Sequence, residues 1–480
     1  MTEGMKSAMT DIVGIDNVSD DWLMLVEYSG EYVPSLIVWP RTADDVAKIV
    51  RLANKNRLSL LPISSGGPKL RDVASPRVPN TIIVNLSRMN KILRVDSQNK
   101  VVMIEPGVTY GVLIDVLKKN GLRISMPFLP AVSKSVLSAC LDREPTTMPR
   151  FHWDSSDPLL CTETVFGTGD VLRTGAAAGP GSLEEQWASG QAQKNPQGPS
   201  QFDPFRIVQG SQGTIGIVTW ISMKCELLPD VHRIYLAGAS SLDSFLDFNY
   251  AILRRRLVDE HFMLNGVNLS AALGTTMSLP NWILVLGISG HGIIAEEELE
   301  YRTADVADIA KGTGVELVDA LGGIKGTSVQ SLLGRPSDAI YWKLQPKGQC
   351  QEIFFTTTLD RCQEFYESFK DTASEVGFPL DQIGAYVQPI VQGTNAHCGF
   401  DLYYNHRDDS AVEKMMLLST KGQQRLLSEG AYFSRPYGAI TDAVYERAAP
   451  GTVRAMRQVK SIFDPSNILN PGALCFKEVL

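Results

Sequence analysis

Apolar positions along this chain fall into two periods, and the two alternate from one end to the other. Over 40–54 they stand three and four apart, at Val46, Ile49, Val50 and Ala53, behind Thr42 and the acidic pair Asp44 and Asp45. That is the pattern of a helix with a threonine N-cap and negative charge in its first turn. An unbroken apolar run, Leu60-Leu61-Pro62-Ile63, then enters a turn of two serines and two glycines, Ser64 to Gly67, and a second apolar run covers 81–86. Strand, tight loop and strand follow from this order. A strand over 101–105, a turn at Pro106-Gly107 and an amphipathic helix over 112–120 come next. The stretch 162–175 reads as a hairpin closed by Gly167-Thr168-Gly169-Asp170, and a strand is expected over 215–220.

The pattern changes near Leu227-Leu228-Pro229. From 233 to about 432, strands at 234–237, 282–289, 350–357, 383–391 and 396–404 alternate with helices at 242–256, 293–311, 360–376 and 410–429. Two strand–helix–strand units in succession imply a ferredoxin-like α+β domain with helices on one face of an antiparallel sheet. The expected division is therefore 1–229, 230–432 and a C-terminal segment 433–480. Residues 176–204, dense in Gly, Pro, Ser and Gln, show no clear period and are expected as a long functional or mobile connection.

Composition narrows the class. With 480 residues and 44% hydrophobic against 20% charged, the chain can bury large cores. Its formal net charge is −8 and its basic residues are scattered, which argues against nucleic acid as a partner. The first twenty residues hold no apolar core of signal-peptide length, and no run approaches a membrane span, so a cytoplasmic location is expected. Seven cysteines, odd in number and never in a CxxC pair, read as reduced structural thiols.

Three stretches carry candidate chemistry. The Ser64–Gly67 turn can aim successive N–H groups at an anion such as a pyrophosphate, although an ordinary turn would look the same. Small residues at Ser135, Ser138 and Ala139 can lie against a flat ring or phosphates, or merely pack a turn. Gly210, Gly213 and Gly216 recur every third residue, but no strand–glycine–helix unit with a downstream acid accompanies them, so this is not a Rossmann fingerprint.

In this order the segments resemble the FAD-binding domain of the vanillyl-alcohol oxidase and para-cresol methylhydroxylase superfamily. The closing Phe463-Asp464-Pro465 and Asn470-Pro471-Gly472 turns resemble the superfamily's C-terminal return to that domain. The resemblance implies an α+β, two-domain fold of the para-cresol methylhydroxylase type, with a ferredoxin-like cap domain over the substrate. It places the FAD pyrophosphate on the loop Pro62, Ser64, Ser65, Gly66, Gly67, Pro68, Lys69 and Leu70. Further FAD contacts are expected from Pro106, Gly107, Ser135, Ser138 and Ala139, and along the ADP half from Gly210, Gly213, Thr214, Gly216, Ile217 and Val218.

For catalysis the resemblance points to Arg435, aligned with the family arginine that helps bind a phenolate at the flavin. The two tyrosines that accompany it in that branch are replaced here, at Arg71 or Asp72 and at Ser434. Where the branch has an Asp-His pair this chain reads His152-Trp153-Asp154, so His152 and Asp154 are candidate acid/base groups, against the alternative of a loop histidine with no such role. His397, on a cap strand expected to face the flavin, is a further candidate. No histidine sits at ligand spacing from it, and no metal is expected. The region 340–358 lacks a histidine to attach the flavin; Tyr341 is the one tyrosyl candidate, and non-covalent FAD is the expectation. The implied reaction is oxidation of an alcohol or benzylic C–H of an anionic or aromatic small molecule. The alternatives are a 2-hydroxy-acid dehydrogenase of the glycolate or D-lactate type, a flavoprotein subunit passing electrons to a protein acceptor, and a fold that has lost FAD because Ser138 and Ala139 replace glycines. Homodimers are common in the superfamily, and one is expected here.

Overall fold

The structure, a computed structural model, describes residues 3–66, 70, 75–149, 158–197 and 205–477. A first sheet has the order β1 (Val18–Ser19), β2 (Leu36–Val38), β4 (Thr81–Asn85), β3 (Ser59–Ile63). The last three strands run parallel. Parallel strands need a crossover connection, and the helix Ala43–Asn56 supplies the one that carries the chain from β2 to β3, on either side of β4. Its capping box is present: Thr42 accepts from the Asp45 N–H while the Asp45 carboxylate accepts from the Thr42 N–H. Its buried face is the one read from the sequence, Val46, Ile49, Val50 and Ala53.

A second, antiparallel sheet has the order β5 (Ile92–Asp96), β6 (Val101–Ile104), β10 (Gly216–Lys224), β8 (Leu159–Phe166), β9 (Val171–Arg173). The hairpin between β8 and β9 turns through the predicted Gly167–Asp170. A short clamp pairs β7 (Leu122–Arg123) with β11 (Glu226–Leu227) just before the second half of the chain begins.

That second half is built on a six-stranded antiparallel sheet ordered β12 (Val231–Ala239), β14 (Trp282–Gly290), β13 (Glu260–Asn265), β18 (Ile383–Ile390), β19 (Asn395–Tyr404), β17 (Gln349–Thr357); the ribbon of β15 (Ala320–Leu321) and β16 (Ile324–Lys325) lies outside it. Alternation sorts the strand residues onto two faces. Leu284, Leu286, Phe355, Phe400 and Leu402 pack against residues of four helices, Leu246–Arg255, Ala295–Thr313, Cys362–Val376 and Asp409–Ser428. Phe262, Leu264, Val285 and Tyr386 belong to a separate core on the opposite face, with Phe128 and Leu129 from the first half of the chain.

His261 lies wholly buried on β13, its Nε2 at 2.9 Å from Asn249 Oδ1 and its backbone N–H bonded to Thr147. Burial pulls its pKa down to about 3. The unfolded chain, with an ordinary histidine near 6.5, therefore binds a proton that the folded chain refuses. Stability is expected to fall by about 1.4 kcal/mol per pH unit as pH drops below 6.5. Urea midpoints at pH 7 and pH 5 check this, and His261→Gln should remove most of the difference between them.

The C-terminal segment returns to the first sheet. After the helix Pro450–Phe463, Leu60 of β3 donates to Ile468 at 2.7 Å and accepts from Asn470 at 2.8 Å, so the tail covers the outer edge of β3. Lys460 and Asp464, both buried, pin the return. The lysine donates to Asp464 at 2.7 Å and to the carbonyls of Thr214 and Leu469, and the carboxylate accepts from the N–H groups of Ile468 and Leu469. No helix among the described residues is long and apolar enough to cross a membrane.

Candidate active site

One elongated cavity of about 390 Å³ lies between the first-half loops and the cap sheet. One wall starts at β3, where Pro62, Ser64 and Ser65 line it. Ser65 is not a free turn residue: its Oγ accepts from the Ser135 N–H at 2.8 Å and lies 3.3 Å from Ser138 Oγ. Ser135 in turn donates to the Pro106 carbonyl at 2.6 Å and accepts from the Ser138 N–H. The loop after β3 is thus fixed to the start of the helix Val136–Leu141 by hydroxyls, among them that of Ser138, where the resemblance leads one to expect glycine.

The continuing wall is the glycine-rich segment before β10. Gly210 and Gly213 have positive φ (68° and 71°), which a side chain adopts only with strain. A Cβ on Gly213 would stand 2.5 Å from Pro62 Cγ, so only glycine lets this segment approach β3. A Cβ on Gly210 would meet no other atom within 4 Å. Backbone here is laid bare along a groove, which fits a long flat ligand with a diphosphate at its middle, as FAD has.

The predicted contact residues divide accordingly. Pro62, Ser64, Ser65, Leu70, Ser138, Gly210, Gly213, Gly216, Ile217 and Val218 line the cavity. Pro106, Ser135, Ala139 and Thr214 stand behind the lining: Ser135 and Pro106 brace the serine loop, Ala139 is buried in the core, and the Thr214 carbonyl holds Lys460. Gly107 lies against the Ser87 carbonyl, where a Cβ would clash, and Gly66 has open space around its Cα. Gly67, Pro68, Lys69, His152 and Asp154 fall outside the described residues.

The opposite wall is the cap sheet. Register places Glu352 across from Asp401 and Phe354 across from Gly399 on β17 and β19, and Tyr386 across from Gly399 on β18. Phe354, Tyr386, His397, Gly399, Glu352 and Asp401 therefore share one face, and all line the cavity. Arg435 arrives from the segment after the last cap helix and lays its guanidinium 4.5 Å from the centre of the Phe354 ring. His397 lies beside the same ring, at 5.6 Å between centroids. A Cβ on Gly399 would sit 3.2 Å from His397 Nε2 and 3.7 Å from Phe354 Cβ, so this glycine keeps the middle of the wall open. Aromatic rings complete the enclosure: Phe128 lies 5.9 Å from Trp342 and 6.2 Å from Tyr386.

At the far end of the same wall lies a group that the sequence reading missed. Lys343 Nζ stands 2.6 Å from Asp401 Oδ1 and 2.7 Å from Glu352 Oε1. The signal was present in His397-x-Gly399-x-Asp401, whose alternation puts all three residues on one face of a strand. Tyr341 also reaches the cavity, and burial holds its phenol well above the ordinary range. Among the described residues no group of His, Cys, Asp and Glu is arranged to hold a metal ion.

Residues 34–175 match the family described as FAD binding domain, and residues 438–474 the family described as FAD linked oxidases, C-terminal domain. An uncharacterized FAD-linked oxidoreductase of Mycobacterium tuberculosis is 24% identical over 98% of both chains. The glycolate oxidase subunit GlcD of Bacillus subtilis is 20% identical over 100% of this chain and 98% of its own. Among solved structures, that of p-cresol methylhydroxylase with substrate bound superposes with a TM-score of 0.84 at 19% identity, over 99% of this chain and 98% of the other.

Proposed function

We propose, for a chain that belongs to the FAD-linked oxidoreductases with a para-cresol methylhydroxylase-type fold, that it oxidises the alcohol or benzylic C–H of a small aromatic anion. FAD, once bound along the glycine-rich wall, supplies an acceptor for a hydride. The observation that carries the reading is Arg435, a permanent cation set over Phe354 in the same cavity as the expected FAD contacts.

The residues divide the work. A guanidinium binds phenolate or carboxylate through its planar fork, and Arg435 lines the cavity beside Phe354. Phe354, Tyr386, Phe128 and Trp342 offer faces and edges that suit a flat ring and exclude water around it. His397 adds a polar contact at the end where the anion is held. Burial raises the Tyr341 phenol well above its ordinary range, so the phenolate that a tyrosyl link would need is scarcer there than at an exposed tyrosine, which supports FAD held without a covalent bond.

The test is the visible spectrum of the purified protein, repeated on the supernatant after acid precipitation, followed by anaerobic mixing with 4-hydroxybenzyl alcohols and with 2-hydroxy acids. Flavin bands that move into the supernatant and bleach with the phenolic alcohols are the expected result. Bleaching by glycolate or D-lactate alone would establish the 2-hydroxy-acid reading instead. Comparing turnover with oxygen and with an artificial dye separates an oxidase from a subunit that needs a protein acceptor.

A further inference from the structure

The oxidation proposed above leaves open whether the substrate brings an alcohol or a bare benzylic C–H, and one side chain of the cap wall bears on that choice. Tyr386 lines the cavity from β18. Its ring packs against Phe262 at 5.8 Å and Phe128 at 6.2 Å between centroids, so the hydroxyl at its end has a fixed place. Register sets Gly399 directly across from Tyr386, and sets His397 across from Gln388, two residues along the same strand face.

Gln388 decides where the hydroxyl proton points. This side chain is wholly buried, and its Nε2 lies 2.7 Å from the His261 carbonyl and 3.0 Å from the Pro389 carbonyl. Carbonyl oxygens only accept, so the amide nitrogen must stand on that side and the amide oxygen on the other. The reversed amide would press an oxygen against two further oxygens. Gln388 Oε1 lies 2.7 Å from Tyr386 Oη and has no proton to give, so the tyrosine donates to it. The proton of Tyr386 is thus committed to the protein, and among the described residues no donor is placed on its oxygen. Burial holds the phenol neutral by raising its pKa well above the ordinary range. What Tyr386 has left to offer the cavity is a lone pair.

We propose that Tyr386 is a specificity residue that accepts a hydrogen bond from the alcohol hydroxyl of the substrate, so that the site prefers an alcohol to the corresponding hydrocarbon and to the carbonyl product. The inference rests on the oxidation proposed above and narrows it. The charged group of an aromatic anion has no proton to give and is repelled by a lone pair, which leaves the alcohol as the donor. A site built around a polar contact rejects the ligand that lacks the matching group, because its own polar atom is then left unpaired. Oxidation replaces the hydroxyl by a carbonyl oxygen, which carries lone pairs and no proton. The oxygen of Tyr386 that holds the substrate therefore opposes the product, and favours its release.

The experiment measures binding to the FAD-loaded protein in the wild type, Tyr386→Phe and Gln388→Leu. Dissociation constants of 4-hydroxybenzyl alcohol and 4-methylphenol are taken by calorimetry after the flavin has been reduced with dithionite, so that neither is consumed. That of 4-hydroxybenzaldehyde is taken with the flavin oxidised, for the same reason. Tyr386→Phe keeps the ring and is expected to weaken the alcohol by about tenfold, the scale of one enclosed hydrogen bond, while 4-methylphenol stays within about twofold and the aldehyde is not weakened. Gln388→Leu releases the tyrosine proton for donation to a ligand and is expected to tighten the aldehyde by about threefold or more. An alcohol bound equally well by Tyr386→Phe, or all three ligands weakened alike, overturns the proposal, the second result marking a packing role. An aldehyde affinity unchanged in Gln388→Leu overturns the placement of the proton, and the proposal with it. A wild type that binds glycolate or D-lactate and none of the three phenols overturns the oxidation itself, a result distinct from the others.

Discussion

Arg435→Ala is expected to raise KM for a phenolic or carboxylic substrate by about 100-fold, with a smaller fall in kcat. Removing one partner of an enclosed charge pair costs about 2–5 kcal/mol, and 1.4 kcal/mol is tenfold in binding. The loss should sit mainly in KM because the anion is held equally before and during hydride transfer, which is uniform binding. Arg435→Lys should recover only part of it, since an ammonium offers a point charge in place of a planar fork. The stacking contact with Phe354 contributes about 0.5–1 kcal/mol to the loss of stability. Steady-state kinetics on a substrate found by the bleaching screen, beside thermal melts of the same variants, decides the matter. Kinetics unchanged from the wild type would remove Arg435 from the site.

Asp464→Ala is expected to be the most destabilising single change, at about 4 kcal/mol. It would leave the Lys460 ammonium buried with two carbonyl oxygens and the Phe476 ring but no carboxylate, and would orphan the N–H groups of Ile468 and Leu469. Each of these costs free energy, and a broken buried pair alone is worth about 3–5 kcal/mol. Burial already pulls the Lys460 pKa down against the attraction of Asp464, so without the carboxylate the lysine should deprotonate more readily. Replacing both residues, as in Lys460→Met with Asp464→Leu, should be milder than Asp464→Ala, because no charge is then stranded. Urea unfolding of the three proteins measures the difference, and a double variant less stable than the single one would contradict the argument.

Much of the fold was legible because its signals are local. Thr42 and Asp45 announce the first crossover helix within four residues, and the turn at Gly167–Asp170 announces its hairpin. The alternation of strands and helices after 229 is likewise written in short windows of apolar spacing. What escaped was either masked by composition or non-local. The stretch after 175, taken as irregular because of its glycines and glutamines, contains the helix Leu183–Ala188. Its capping box, Ser182 with Glu185, stands in the sequence, but the apolar face behind it is too short to show a period. Lys460 carries no local signal in the sequence, and only the return of the tail makes it a buried anchor.

The site was half legible for the same reason. Pro62, Ser64, Ser65 and the glycines at 210, 213 and 216 stood out through backbone requirements, which a sequence states directly. Lys343, Glu352 and Asp401 come from three separate elements, and only cross-strand register brings the two carboxylates face to face. Ser138 looked like a departure that weakened the FAD reading. Its hydroxyl is instead part of the bracing that holds the serine loop in place.

The pairing of Leu60 with the segment Ile468–Asn470 bears on how the protein is made. β3 is synthesised early, yet its outer edge has no partner until some 400 residues later, which at about 5–20 residues per second is roughly 20 to 80 seconds on the ribosome. Throughout that interval the nascent chain displays an apolar strand with open hydrogen-bonding groups, the kind of edge that recruits other chains. Vectorial folding can complete the cap, whose strands all lie between 231 and 404, before the half of the molecule that was made first. Production of this protein should therefore depend on holding chaperones far more than its final compactness would suggest.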